Sequence, residues 1–336
     1  MPHPGPEAPA VPHPARGPGR RRTLARGCRA ARWEDGGVAG TAVTVPPARD
    51  VALMAVAVTA VSTSAPLIAA TVAPALAIAA WRNLMASGVL VPIALATRRA
   101  ELRSLGRRGW GLCLLAGALL AGHFAAWVPS VTLTSVASST ALVATQPVWA
   151  ALLARASGQQ VGRPVWAGIL VAVAGVAMIT GADVTLSARA VAGDVLALLG
   201  GMLAAAYVTA GAAVRVRIST TSYTTVCYSA CALLLVLVCV LAGQPLAGYP
   251  AGTWVKLAAL TVGAQLLGHS LINVVLRSTS PTVVSLAILF EAPGAALIAA
   301  VWLGQLPPVS ALPGIVVLLV GLAIVIRAGA RAVPVE

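Results

Sequence analysis

Acidic residues are scarce in this chain. Nine Asp and Glu stand against 23 Lys and Arg, and charged residues make up only 10% of its 336 residues. A soluble domain needs roughly 25% charged residues to cover its surface, so most of this chain cannot face water. Cysteine is also sparse. Five thiols give no disulfide framework, and Cys227 and Cys231 sit four apart in an apolar run, where thiols behave as small hydrophobes. No Walker A loop and no nucleophile–base arrangement is present, so direct use of ATP is excluded, no catalytic residue is nominated, and no metal or other cofactor is expected. The net charge of +14 does not point to nucleic acid. The arginines of the N-terminal segment lack interleaved aromatics apart from Trp33, and the others sit between apolar runs.

What the chain has is apolar length: 59% of its residues are hydrophobic and its mean hydropathy is +0.90. Residues 1–49, rich in Pro, Arg, Gly and Ala without an apolar period, read as a disordered basic cytoplasmic tail. From Asp50 onward, runs of about 20 residues, enough to cross the hydrocarbon core, follow one another. Ten spans are expected: Val51–Ala70, Pro74–Ala96, Gly109–Pro129, Ser135–Ala154, Pro164–Thr180, Asp194–Val214, Ser222–Leu241, Trp254–Val275, Thr282–Leu303 and Val309–Ile326. Pro129 and the Ser/Thr run after it are read as the turn between spans 3 and 4. Residues 328–336 form a short C-terminal tail. The fold class is thus an all-α integral membrane protein in a lipid bilayer.

Basic residues test the count, because cytoplasmic loops hold the Lys and Arg. With both termini inside, ten spans place every basic residue on the cytoplasmic side except Arg82, Arg189 and Lys256. Losing one span would flip every later loop and destroy the bias.

The chain also repeats itself. At an offset of 146 residues Gly122-His123 meets Gly268-His269, Pro147 meets Pro293, and Gly158-Gln159 meets Gly304-Gln305. Gly168 and Gly175 likewise meet Gly314 and Gly321. Each unit holds five spans, an odd number, so the second enters the membrane in the opposite sense. Such inverted repeats (50–181 and 193–327) enclose a shared site near the midplane and interconvert between two similar states, the physical basis of alternating access.

Several segments resemble the EamA domains of the drug/metabolite transporter superfamily. Ala75 to Leu95 is similar to that family's helix with a membrane-embedded arginine, which is Arg82 in this chain. Ser135 to Ala154 and Ser280 to Ala299 match its small-residue helix leading to a proline, and Gly193 to Tyr207 resembles the opening of its second domain. Gln159 and Gln305 depart from the Glu the family often carries there, and the Trp common in helix 6 is absent. The resemblance implies ten helices around a central cavity and secondary transport of a small-molecule solute (amino acids, metabolites or drugs). Efflux across the plasma membrane is the favoured direction; an uncoupled facilitator is the alternative, and a membrane enzyme or scaffold a remote one. The oligomeric state is not readable.

Charge inside a bilayer costs roughly 2.5–3.5 kcal/mol on insertion scales, so each intramembrane ionisable group calls for a role. Glu291, near the middle of span 9, is read as a proton or substrate-amine site, or as a structural partner of Arg82 or of the backbone freed by Pro293. Arg82 is read as a cavity or gate residue, or as a side chain that snorkels to the interface. His123 and His269, equivalent under the repeat, are pathway candidates with the option of proton coupling. Trp127 and Asn273, one turn further on the same faces, join them. Pro147 and Pro293 are read as hinges, with small residues Ser138, Ser139, Ala141, Ser285 and Ala287 around them. The glycines at 168, 175, 314 and 321 read as a packing stripe.

Overall fold

The computed structural model describes residue 1 and residues 47–331, apart from 185, 186, 216, 276, 277 and 280. The tail expected over 1–49 therefore lies outside the described residues up to position 46, as do residues 332–336. Among the described residues the regular elements are all helical. Nine helical stretches are long and apolar enough to cross a membrane, and a tenth, Leu312–Ala328, is apolar but shorter.

Span 1 comprises Ala48–Ser62 and Ser64–Ala70, span 2 Ala75–Thr97 and span 3 Arg107–Leu133. Span 4 comprises Val136–Val143 and Gln146–Ala156, span 5 Arg163–Val184, span 6 Ala188–Arg215 and span 7 Thr220–Leu241. In span 8, Ala251–Leu260 continues through a π-helical stretch, Thr261–Gly268, into His269–Val275. Span 9 comprises Pro281–Ile288 and Glu291–Leu303, and span 10 is Leu312–Arg331, which runs past the expected start of the C-terminal tail.

The boundaries follow from local chemistry. Pro47, Pro74 and Pro250 immediately precede helices, where a missing N–H costs nothing. Ser135 and Ser219 cap spans 4 and 7, accepting from the amides of Ser138 and Ser222. The turn expected at Pro129 is corrected: span 3 runs through that proline to Leu133, and the chain turns at Thr134. Hydroxyls of Ser130 and Thr132 in this last stretch donate to the carbonyls of Trp127 and Pro129. The expected hinges do interrupt their spans. Pro147 and Pro293 lie in the first turn of the second half-helix of spans 4 and 9, just past non-helical Ala144–Thr145 and Leu289–Phe290. Span 1 has a third such break at Thr63, ahead of Pro66, which the sequence reading missed.

Two of the three exceptional basic residues now have a cause. Lys256 donates its Nζ to the carbonyl of Ala70 at 2.7 Å, and Arg189 its Nη2 to that of Thr132 at 3.3 Å. Each satisfies a carbonyl at the C-terminal end of a span, where backbone acceptors are orphaned and the helix dipole favours a cation.

The halves pack as related units. Span 3 lies along span 6, and their counterparts span 8 and span 1 lie along each other; spans 5 and 10 also pack together. In the span 5–10 crossing Gly168 abuts Val325, Gly175 abuts Leu318, Gly321 abuts Ala172 and Gly314 abuts Ile179. Rising numbers on one helix meet falling numbers on the other, so these two helices run antiparallel, and each contact is the 146-residue image of another. Gly158 and Gly304 both take left-handed backbone, φ 85° and 64°, where their half-helices end. Outward faces carry large apolar residues such as Leu170, Leu233, Leu297 and Val301, whereas Arg82, Asn83, Ser138, Ser139 and Gln265 are fully buried.

Glu101, on the short helix Arg99–Ser104, caps span 7: Ser219 donates its amide and hydroxyl (2.7 Å), and Ser222 its hydroxyl (2.8 Å), to that carboxylate. Burial alone would raise its pKa, but these hydrogen bonds and nearby Arg98 outweigh it and hold the carboxyl below its ordinary value of 4.5. A carboxyl with a lowered native pKa stabilises the fold above its unfolded value and loses that contribution as pH falls through the native one. Thermal stability in detergent should therefore drop on acidification below pH 4.5, and the drop should shrink in E101Q. At the span 5–10 crossing a methyl group on Gly175 would sit 2.4 Å from the amide nitrogen of Leu318, whereas one on Gly111 meets open space. Gly175→Ala should cost about 1–3 kcal/mol of stability and Gly111→Ala nothing comparable, read from unfolding midpoints.

Candidate functional site

The three helix breaks and the end of the π-helical stretch converge on one small cavity. Val61 and Ser64 flank the break in span 1, Val143 and Gln146 that in span 4, and Glu291 follows that in span 9. His123, Phe124 and Trp127 of span 3 and His269 of span 8 complete the lining. Non-helical backbone is tolerated at membrane depth only where protein or a water-filled space satisfies it. The cavity holds about 60 Å³, room for a few waters but well below the 300–1,000 Å³ typical of ligand pockets. A solute passes only if these helices move. A larger groove of about 500 Å³ between spans 1 and 8 is lined by Ala55, Val56, Thr59, Ala60, Thr63, Gly263 and Leu267, and it carries no ionisable group.

Of the residues expected on a pathway, His123, Trp127, His269 and Glu291 are brought together at this cavity. Asn273 lies on Helix His269–Val275, but its side chain falls outside the described residues. His123 places Nδ1 2.9 Å from the carbonyl oxygen of Gly200. That oxygen only accepts, so Nδ1 carries the proton and Nε2 remains as the proton-exchanging nitrogen. The ring stacks on Trp127, centroids 5.7 Å apart, and Trp127 Nε1 is buried without a hydrogen bond among the described residues. The backbone carbonyl of Glu291 accepts from Ser62 Oγ at 3.4 Å, and its side chain lines the cavity. The cavity thus gathers a carboxylate, two imidazoles, an indole N–H and the polar groups of Gln146 and Ser64.

Arg82 sits behind this lining. It is completely buried, so it does not snorkel, and it forms no ion pair with Glu291; both alternatives are corrected. Its Nε and Nη2 donate to Oε1 of Gln265 at 2.9 and 2.7 Å, Nη1 donates to Ser64 at 3.3 Å, and the guanidinium lies 4.5 Å over the Phe124 ring. Gln265 in turn donates Nε2 to Asn83 at 3.1 Å, and Asn83 donates to the carbonyl of Ala79. Gln265 belongs to the π-helical stretch of span 8. Such wide turns recur at functional sites, and a glutamine one turn from His269 carried no periodic signal that could single it out. Ser64 and Gln146 were also missed. Their only clue was adjacency to prolines that interrupt a span. Among the described residues no cluster of three or more His, Cys, Asp or Glu could hold a metal ion.

Because Gln265 supplies the main acceptor for a buried cation, Gln265→Leu should cost about 3 kcal/mol of stability. The double variant R82L/Q265L should recover part of that loss, since no stranded guanidinium remains. Unfolding of the purified variants in detergent checks both outcomes.

No curated protein matches the sequence. Several solved structures match; one crystal structure among them is similar at 21% identity, with a TM-score of 0.58, covering 84% of this chain and 99% of that one, a likeness that shows the fold. The EamA-like transporter family matches twice, over residues 50–181 and 191–327. Two copies of one transporter unit therefore span almost all of the described chain, and the protein belongs to the EamA-like transporter family.

Proposed function

We propose that the protein is a secondary exporter of small metabolites or amino acids in the plasma membrane, working by alternating access. In this reading ten spans form two inverted five-helix repeats, 50–181 and 193–327, with both termini in the cytoplasm. The antiparallel, image-related crossing of spans 5 and 10 supports the inversion. The basic residues outside the spans support the orientation, since the two that fall on the far side each meet a helix carbonyl.

One observation carries the functional reading: a polar cavity with Glu291 and two histidines lies where three broken helices meet, inside an otherwise apolar protein. Broken helices around a midplane site are how membrane carriers bind solute while keeping their backbone satisfied. Glu291 is the residue that takes a proton or the amino group of the solute, with His123 and His269 beside it. Arg82, held by Gln265, orients Ser64 and Phe124 at the cavity wall. Pro147 and Pro293 mark where spans 4 and 9 bend between states.

Efflux of metabolites from cells with and without the gene, repeated after collapsing the proton gradient, tests this. The expected result is solute retention without the gene, efflux that depends on the gradient, and loss of at least tenfold of the flux in Glu291→Gln. Efflux that ignores the gradient, with an unchanged pH profile in the variant, would instead make the protein an uncoupled facilitator.

A further inference from the structure

A small assembly apart from the main core ties the start of span 1 to the link ahead of span 9. Asp50, in the first turn of span 1 and only 6% exposed, accepts through Oδ2 from Ser278 Oγ at 2.7 Å and from Thr279 Oγ1 at 2.8 Å. Both hydroxyls belong to the link between spans 8 and 9, just ahead of the half-helix Pro281–Ile288. Further along, Met54 of span 1, Val275 of span 8 and Val284 of that half-helix form a separate apolar cluster. The half-helix then stops at Leu289–Phe290, and the next residue is Glu291 in the cavity wall. It is therefore held at its far end by a carboxylate, along its side by three apolar residues, and joined to the site by a break.

The chemistry of the hold matters. A carboxylate gripped by two neutral hydroxyls is bound more weakly than one paired with a buried guanidinium, because water replaces hydroxyl donors at little cost. Such a contact opens and recloses readily. A related arrangement stands in the other half. Asp194 of span 6 is fully buried, and the preceding Gly193 lies against Leu133 and Thr134, in the link that leads to the half-helix Val136–Val143.

Resting on the transport reading above, we propose that Asp50 and the Ser278–Thr279 pair form a latch that holds the half-helix Pro281–Ile288 shut over one end of the cavity. Release lets the half-helix swing about Leu289–Phe290 and opens the Glu291 site to the membrane face that carries residue 50.

The test places a cysteine at Val143 in the cavity wall of the full-length protein, reconstituted in vesicles of known orientation. A charged, membrane-impermeant thiol reagent is then added from each face. The same protein without the new cysteine, with Cys28 replaced by Ser in both and the thiols at 113, 227, 231 and 239 buried, supplies the background. Asp50→Ala and the double variant S278A/T279A attack the latch from its two partners, so misfolding of one leaves the other decisive; size-exclusion profiles report folding. The latch predicts that modification from the residue-50 face rises about tenfold or more in both, with no rise from the opposite face. An unmoved rate, or a rise from the opposite face, overturns it. Solute flux through the unaltered protein separates this from the transport reading. If only the latch is wrong, flux persists and labelling stays still; if only transport is wrong, flux is absent and labelling still shifts.

Discussion

The hydrocarbon core of a bilayer offers no water, so every backbone group and every charge placed there must be satisfied by the protein itself. That constraint organises this molecule. Spans 1, 4 and 9 are each interrupted along their length, span 8 is loosened into a π-helical stretch, and Arg82 is completely buried with its hydrogen bonds made to neutral groups. The three interruptions and the end of the π-helical stretch border the same cavity, and Arg82 is buried just behind it, so the costly features are concentrated in one region.

Arg82 shows how the enclosure works. Its charge is met by the oxygen of a neutral amide, by a serine hydroxyl and by an aromatic face, and the amide is in turn fixed by Asn83. An ion pair would have tied the cation to Glu291. Meeting it with neutral groups leaves the Glu291 carboxylate at the cavity wall for another partner. The scaffold around this site is nearly symmetric, but the chemistry is not: the 146-residue counterpart of Glu291 is Thr145, and that of Arg82 is Tyr228. One half supplies the acid and the other the cation. A repeated fold has been specialised by single residues.

The sequence carried much of this. That the chain crosses the membrane repeatedly, and the order of its apolar helices, followed from the spacing of apolar runs. The repeat identified His123 with His269 and Pro147 with Pro293, and the structure sets these histidines in one wall and these prolines beside the breaks. Boundaries were less legible. Pro129 reads as a turn because proline ends helices in water, yet span 3 continues through it to Leu133. Pro66 broke span 1 unnoticed, since a proline near the end of an apolar run looks like a boundary.

Composition and spacing alone determined that the chain lives in lipid, crosses it repeatedly and consists of two related halves, because transfer of apolar runs from water is a sum over residues that needs no knowledge of neighbours. Tertiary structure alone decided which polar groups meet. Gln265 lies 183 residues from Arg82, and Thr279 lies 229 from Asp50. Hydrogen bonds depend on distance and direction within a few tenths of an ångström, and those are set only when the helices have packed.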